Sequence, residues 1–273
     1  MTRFPGLRPQ VLTLDEVERF ITDGYLVVRG LIPEERVKAI VPMIWSALDA
    51  VAHDPGKRNP DGGHLLKESP HGGPVQGLVS PRYRTVIEDL CGAGRCQLWE
   101  DGLGYMPIRF PDPRRGALAW QPTDMHVDGM HFHHHVNSAE QGLVVVELFS
   151  DIDPQGGGTA IRVGSHKQVA RILQRAEPAG LTCMEIGAKA RQETGEGPVI
   201  ELTGKAGDVL FMHPHTLHGS SLNLSERARL ASNHCVGLQA PMQLARADAG
   251  EYSPVEYAIH DALRAAEPSE QVH

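Results

Sequence analysis

From Thr13 onward the apolar positions first follow a helical period and then change to short runs, and that change predicts the architecture. In "LTLDEVERFI", Thr13 and Glu16 form a capping box, and Val17, Phe20 and Ile21 recur behind it at helical spacing. The β-branched run "GYLVVRGLI", bounded by glycines, reads as a strand. It leads into a second helix, "PEERVKAIVPMIWSALDAV", with Pro33 in its first turn. Between Asp54 and Pro74 glycines, prolines and charges accumulate, which predicts loop. Helical spacing returns after Pro81 in "RYRTVIEDL". Beyond it come "RCQLWED", "GYMPIRF", "GLVVVELFSDI", "GTAIRVG", "PVIELTG", "DVLFMHP" and "RLASNHCVGL", short runs separated by turn residues. Several strands with few helices between them imply an antiparallel sandwich or barrel, not a doubly wound sheet. "SPVEYAIHDALRAAEP" predicts a closing helix. The chain thus reads as one domain over 1–273, mainly β with flanking helices. N-terminal helices span about 13–53, a β core about 95–240 and a C-terminal helical segment about 254–266.

Composition changes this picture only by exclusion. With 273 residues, 41% of them hydrophobic and 22% charged, the chain can bury a sizeable core without disulfides. No apolar run is long enough to span a bilayer. "MTRFPGLRPQ" lacks an apolar signal core and "SEQVH" is no common targeting tripeptide, so the expected compartment is the cytoplasm. A formal charge of -8 argues against nucleic acid, whose phosphates demand clustered lysines and arginines. A small-molecule partner is expected, and oligomeric state is left open. Cys91, Cys96, Cys183 and Cys235 suit a reduced compartment and are read as structural.

The candidate chemistry lies in "MHVDGMHFHHHV", Met125 to Val136, which packs five histidines and one aspartate into twelve residues. Iron(II) with open positions is commonly held by two histidines and one carboxylate. His126 and Asp128 supply an H-x-D pair whose side chains fall on one side of an extended backbone. A second histidine must come from elsewhere, and "GDVLFMHPHTLHGSSLNLSERARL" offers His213, His215 and His218. His218 is the choice, because it stands past the strand and just before a glycine that lets the chain turn close to a ligand. His213 and His215 read as packing at the strand end, His166 as a structural residue, and Ser165 as the cap of a helix starting near Gln168.

These residues in this order resemble the phytanoyl-CoA hydroxylase family of iron(II)- and 2-oxoglutarate-dependent oxygenases. The resemblance is carried by "HVD" at His126 to Asp128, "GSHK" at Gly164 to Lys167, "GDVLFMHPHTLHGSSLN" at Gly207 to Asn223, and Arg229 eleven residues past His218. It extends to the opening "LTLDEVERFITDGYLVVRGLIPEERV", and so covers about Thr13 to Leu238. The resemblance implies a double-stranded β-helix core, the cupin-like jelly roll. It also implies His126, Asp128 and His218 as the iron ligands, with 2-oxoglutarate and O2 as cosubstrates. Arg229 and Ser220 would bind the far carboxylate of 2-oxoglutarate, and Tyr105 and Lys67 would border it. The expected reaction is oxidation of an unactivated C–H, with succinate and CO2 released. Asp128 stands where related halogenases carry a small residue, which favours hydroxylation.

Two readings compete. Cupins use H-x-H followed by glutamate, and His133, His135 and Glu140 have that spacing. The other is a metal-free jelly roll acting as a binding module. The substrate is expected to be a polar small metabolite, of the kind met in natural-product biosynthesis. The covering loops "KRNPDGGHLLKESPHGGP" and "GMHFHHHVNSAEQ" and the segment from Leu181 to Pro198 are polar and glycine-rich. His131, His133 and His135 leave the metal strand directly, and at least one of them is expected to face that substrate.

Overall fold

The computed structural model describes residues 6–123, 125–193 and 197–265. The capping box forms: Glu16 N donates to Thr13 Oγ1, and Thr13 N donates to the Glu16 carboxylate. It opens α1 (Leu14–Asp23), which buries Val17, Phe20 and Ile21 and ends at Gly24 with φ 84°. A Cβ on Gly24 would lie 2.4 Å from His166 Nδ1, so both the backbone and the space require glycine there. β1 (Tyr25–Val28) follows. The second helix divides at Leu48 into α2 (Glu34–Ala47) and α3 (Asp49–Ala52), and Pro33 is its N-cap. Next come β2 (Gly63–Leu66), α4 (Pro81–Cys91), β3 (Cys96–Gln97), β4 (Met106–Arg109), β5 (Leu143–Leu148) and β6 (Thr159–Arg162). They are followed by α5 (Ser165–Ala176), α6 (Cys183–Gln192), β7 (Val199–Leu202), β8 (Val209–Met212), β9 (His218–Gly219), β10 (Ala231–Leu238) and α7 (Pro254–Arg264).

One antiparallel sheet has the order β1-β8-β5-β10-β3. Along the β10 edge, the bridges Tyr105↔Asn233 and Arg109↔Arg229 attach β4, which pairs in turn with β2. The second sheet, β7-β6-β9, is widened by the segment carrying the H-x-D, through Pro122↔Ser221 and His126↔His218. Between the two sheets, Val144, Val146 and Leu148 of β5 meet Leu210 and Met212 of β8, with Ile161 and Leu202 from across. The alternate residues Leu143, Val145, Val209 and Phe211 face the helices. All six residues of β5 are buried, which is why its sequence is an unbroken apolar run with one glutamate. Burying each such side chain contributes about 1.5–3 kcal/mol, enough to hold the two sheets face to face. The expected jelly-roll core with flanking helices is what forms.

Some expectations need correction. β2 lies inside the region read as loop, because its four residues become a strand only by pairing with β4. The segment from Leu181 to Pro198 contains α6, capped by Thr182 and Glu185. Ser165 begins α5 and does not cap it; its hydroxyl donates to Arg162 O and accepts from Leu217 N. Gly219 makes no turn and continues β9 opposite Ala160. The closing helix ends at Arg264, and residue 266 lies outside the described residues. No helix among the described residues is long and apolar enough to cross a membrane.

Candidate metal centre

Two strands bring the two histidines opposite one another. His126 N donates to His218 O at 2.8 Å and His218 N donates back to His126 O at 2.9 Å, placing the ring centroids 4.9 Å apart. Asp128, two residues further on, turns its carboxylate between them. Oδ1 is 3.4 Å from His126 Nε2, and Oδ2 is 3.4 Å from His218 Nε2. One ligand atom from each residue lies within 4.8 Å of the others, and among the described residues this is the one such group of three.

The hydrogen bonds set up this group for a cation. His218 Nδ1 faces Thr216 O at 3.0 Å and therefore carries the proton, which directs the Nε2 lone pair toward Asp128. That Nε2 is buried and has no hydrogen-bond partner. Asp128 Oδ2 accepts from Asn233 Nδ2 at 3.1 Å. Burial opposes ionisation of Asp128, but His218 and His126, wherever their rings carry a second proton, outweigh it and hold the carboxyl well below the usual carboxylate range. An anionic oxygen, two imidazole nitrogens and an unpartnered lone pair form a donor set that suits a divalent transition metal.

Arg229 lies deep beside β4 and β6. It is 2% exposed, Nη1 donates to Pro107 O at 2.7 Å, and Nη2 donates to Thr159 Oγ1 at 3.0 Å. Its Nε is buried without a partner. Burial, with Arg109 nearby, pushes its pKa down to about 10, which still leaves it charged at neutral pH. Among the described residues no carboxylate forms an ion pair with it, and Glu201 acts only from further away. A buried guanidinium without a counter-ion is costly, so an anionic ligand is the natural complement.

The other residues singled out in the sequence are spread around this core. Ser220 is half-buried, stands two residues past His218 on the same face, and accepts from Thr123 N through its carbonyl. Tyr105 is 64% exposed, and Lys67 is exposed. The β2–β4 ladder ends at Leu66↔Met106, so Lys67 and Tyr105 stand one step past it, side by side, and Tyr105 is bridged to Asn233.

The histidine-rich loop is fastened along half its length. His135 Nδ1 is 3.0 Å from Glu177 Oε2, Val136 N donates to Glu177 Oε1, and buried His134 exchanges backbone bonds with Leu181. His131 and His133 remain exposed. His133, His135 and Glu140 are not brought together: His135 is engaged by Glu177, and Glu140 is exposed. Sequence reasoning missed Asn233, Thr159 and Glu177. Asn233 was within reach, because alternation along β10 puts 229, 231 and 233 on one face.

The profile of the Phytanoyl-CoA dioxygenase (PhyH) family matches residues 20–231. Ectoine dioxygenase of Stutzerimonas stutzeri (strain A1501) is 26% identical over 233 residues, 78% of this chain and 72% of that protein. Among solved structures, the non-heme alpha ketoglutarate dependent carbocyclase SnoK of nogalamycin biosynthesis has a TM-score of 0.53 at 18% identity, over 84% of this chain and 85% of SnoK. The epimerase SnoN, solved with Fe3+, alpha ketoglutarate and nogalamycin RO, scores 0.54 at 21% identity over 82% of each chain. HygX from Streptomyces hygroscopicus, with nickel and 2-oxoglutarate bound, scores 0.50 at 18% identity over 84% of this chain and 88% of HygX. At such identities the structural likeness establishes the shared fold. The family match, which runs from α1 into β10, spans the H-x-D, His218 and Arg229 alike: the chain belongs to the phytanoyl-CoA dioxygenase family and is a 2-oxoglutarate-dependent dioxygenase of the iron-using kind.

Proposed function

We propose that the protein hydroxylates, or otherwise oxidises, an unactivated C–H bond of a polar small metabolite of the kind met in natural-product biosynthesis. The observation that carries this reading is the buried, unpaired Arg229 within the same β-sandwich as the His126, Asp128 and His218 group. His126, Asp128 and His218 hold iron through two imidazole nitrogens and one carboxylate oxygen. Bound iron supplies, with 2-oxoglutarate and O2, the oxidising power for the C–H bond while succinate and CO2 are released.

The side chains orient ligands and exclude water. Arg229 takes the 5-carboxylate of 2-oxoglutarate on its guanidinium, whose remaining nitrogens are already aligned by Pro107 O and Thr159 Oγ1. Ser220 adds a hydroxyl to that carboxylate, and Tyr105 and Lys67 border the cosubstrate. At least one of His131, His133 and His135 presents an imidazole to the substrate, and the anchoring of His135 on Glu177 steadies their loop. Each neutral imidazole offers one donor and one acceptor, which suits a hydroxyl- or amine-bearing metabolite.

The test is to incubate cell extracts with the protein, iron(II) and 2-oxoglutarate and to search for a mass gain of one oxygen coupled to succinate release. Arg229→Ala should raise the 2-oxoglutarate KM by about two orders of magnitude, since charge-assisted bonds contribute about 1.5–3 kcal/mol each. Iron affinity should stay unchanged, because Arg229 is not among the three residues assigned to the metal. Wild-type dependence on 2-oxoglutarate in Arg229→Ala would overturn the assignment.

A further inference from the structure

We infer that Asn233 is a positioning residue that orients the Asp128 carboxylate; the inference rests on the assignment of Asp128 to iron. Asp128 sits where the chain has left its ladder. The last bridge is at His126, and Gly129 follows Asp128 at φ 104°, so no backbone pairing fixes the aspartate itself. Asn233, by contrast, has an immobile root. Its N and O exchange bonds with Tyr105 at 2.7 and 2.9 Å on one edge, and it pairs with Val146 of β5 on the other. The approach on the Tyr105 side is close: a Cβ on Gly104 would lie 2.0 Å from Asn233 O. Gly104 N is in turn held by Ser232 Oγ and His234 Nε2, each at 2.9 Å. From this anchored strand, Asn233 Nδ2 reaches Asp128 Oδ2 at 3.1 Å.

The amide orientation follows from chemistry, because a carboxylate only accepts and Nδ2 must face it. Asn233 Oδ1 is left buried with no partner. An unpaired buried acceptor costs roughly 1–3 kcal/mol, so for packing alone an apolar side chain would serve better here. The benefit lies at Asp128: the amide occupies one oxygen, leaves Oδ1 for the metal, and prevents the carboxylate from rotating. The same residue carries Tyr105 on its backbone and lies four positions from Arg229 on the same strand face, so metal and cosubstrate sites share one rigid reference.

Anaerobic titration of apoprotein with iron(II), followed by 2-oxoglutarate, tests this. Asn233→Ala should weaken iron affinity by about 10- to 100-fold, the usual effect of removing a partner of a metal ligand, and shift the visible absorption of the iron–2-oxoglutarate complex. Asn233→Leu keeps the size and removes the donor without adding charge, and should weaken binding to a similar extent. It also serves if the alanine variant folds poorly. Cys235→Ala, two residues along β10, should bind iron like the wild type. Wild-type affinity and an unshifted spectrum in folded Asn233→Ala or Asn233→Leu would overturn the inference alone. A wild-type protein that bound no iron would overturn both this inference and the ligand assignment.

Discussion

The ring centroids of His126 and His218 lie 4.9 Å apart at the candidate metal centre, while those of His166 and His213, and of His213 and His215, lie 5.0 Å apart under α1. Ring spacing therefore does not separate the two groups; their surroundings do. The side chain of His126 is 42% exposed and a carboxylate stands between its ring and that of His218. His166, His213 and His215 are 1%, 0% and 2% exposed, and among the described residues no acid completes a ligand group with them. His166 Nε2 donates to Ile21 O, and His213 Nε2 donates to Val255 O and its Nδ1 accepts from His215 N, so His166 ties α1 to α5 and His213 ties α7 to the end of β8. Burial, aided by Lys167, pushes the His166 pKa down to about 3, and burial holds His213 and His215 well below the usual histidine range. A metal site needs an anion and an open side. Histidines without either serve as packing, and His166 and His213 each give one ring nitrogen to a backbone carbonyl.

The largest effect that would break this contrast is on metal stoichiometry. His218→Ala should abolish iron binding and turnover, whereas His213→Ala should keep one iron per chain and lose about 2–5 kcal/mol of stability, as buried large-to-small changes do. Iron titration and chemical denaturation of both variants decide it, and metal loss from a folded His213→Ala would merge the two groups into one.

A smaller effect sharpens the contrast through pH. The unfolded chain takes up histidine protons near pH 6.5, but buried His166 does not until about pH 3. Stability is therefore fully present above about pH 6.5 and lost as pH falls, with a slope of about 1.4 kcal/mol per pH unit for each such residue. Denaturation midpoints at pH 7.5, 6 and 5 should fall in the wild type and fall less steeply in His166→Phe. Equal slopes would remove the buried group from the account.

The smallest effect concerns the loop that joins the two situations, part fastened and part open. His131→Ala, His133→Ala and His135→Ala should leave iron affinity unchanged, and at least one should weaken substrate binding or uncouple 2-oxoglutarate decay from product by a few fold. His135→Ala also removes the contact with Glu177, a half-exposed pair contributing about 0.2–1 kcal/mol. Fully coupled turnover in all three would reduce this stretch to a solvated loop.

The local chemistry of the fold is legible in the sequence. Thr13 and Glu16 announced α1, and the apolar run Leu143 to Leu148 announced a strand. His126 and Asp128 announced a shared side, because these features depend only on neighbours within one turn or one pleat. What was not legible has weak local signals. β2 is "GHLL" among glycines and charges, and α6 buries only Cys183, Ile186, Gly187 and Ala190, too small a set to mark a helical face.

The sequence by itself determined the elements, the ligand types and the order in which they occur along the chain. Only the tertiary structure decided which histidines meet an aspartate and which meet backbone carbonyls. It alone joined Glu177 to His135, 42 residues apart, and Asn233 to Asp128, 105 apart. Those pairings rest on strand register and sheet order, and register is set by contacts between segments whose separation along the chain no local pattern encodes.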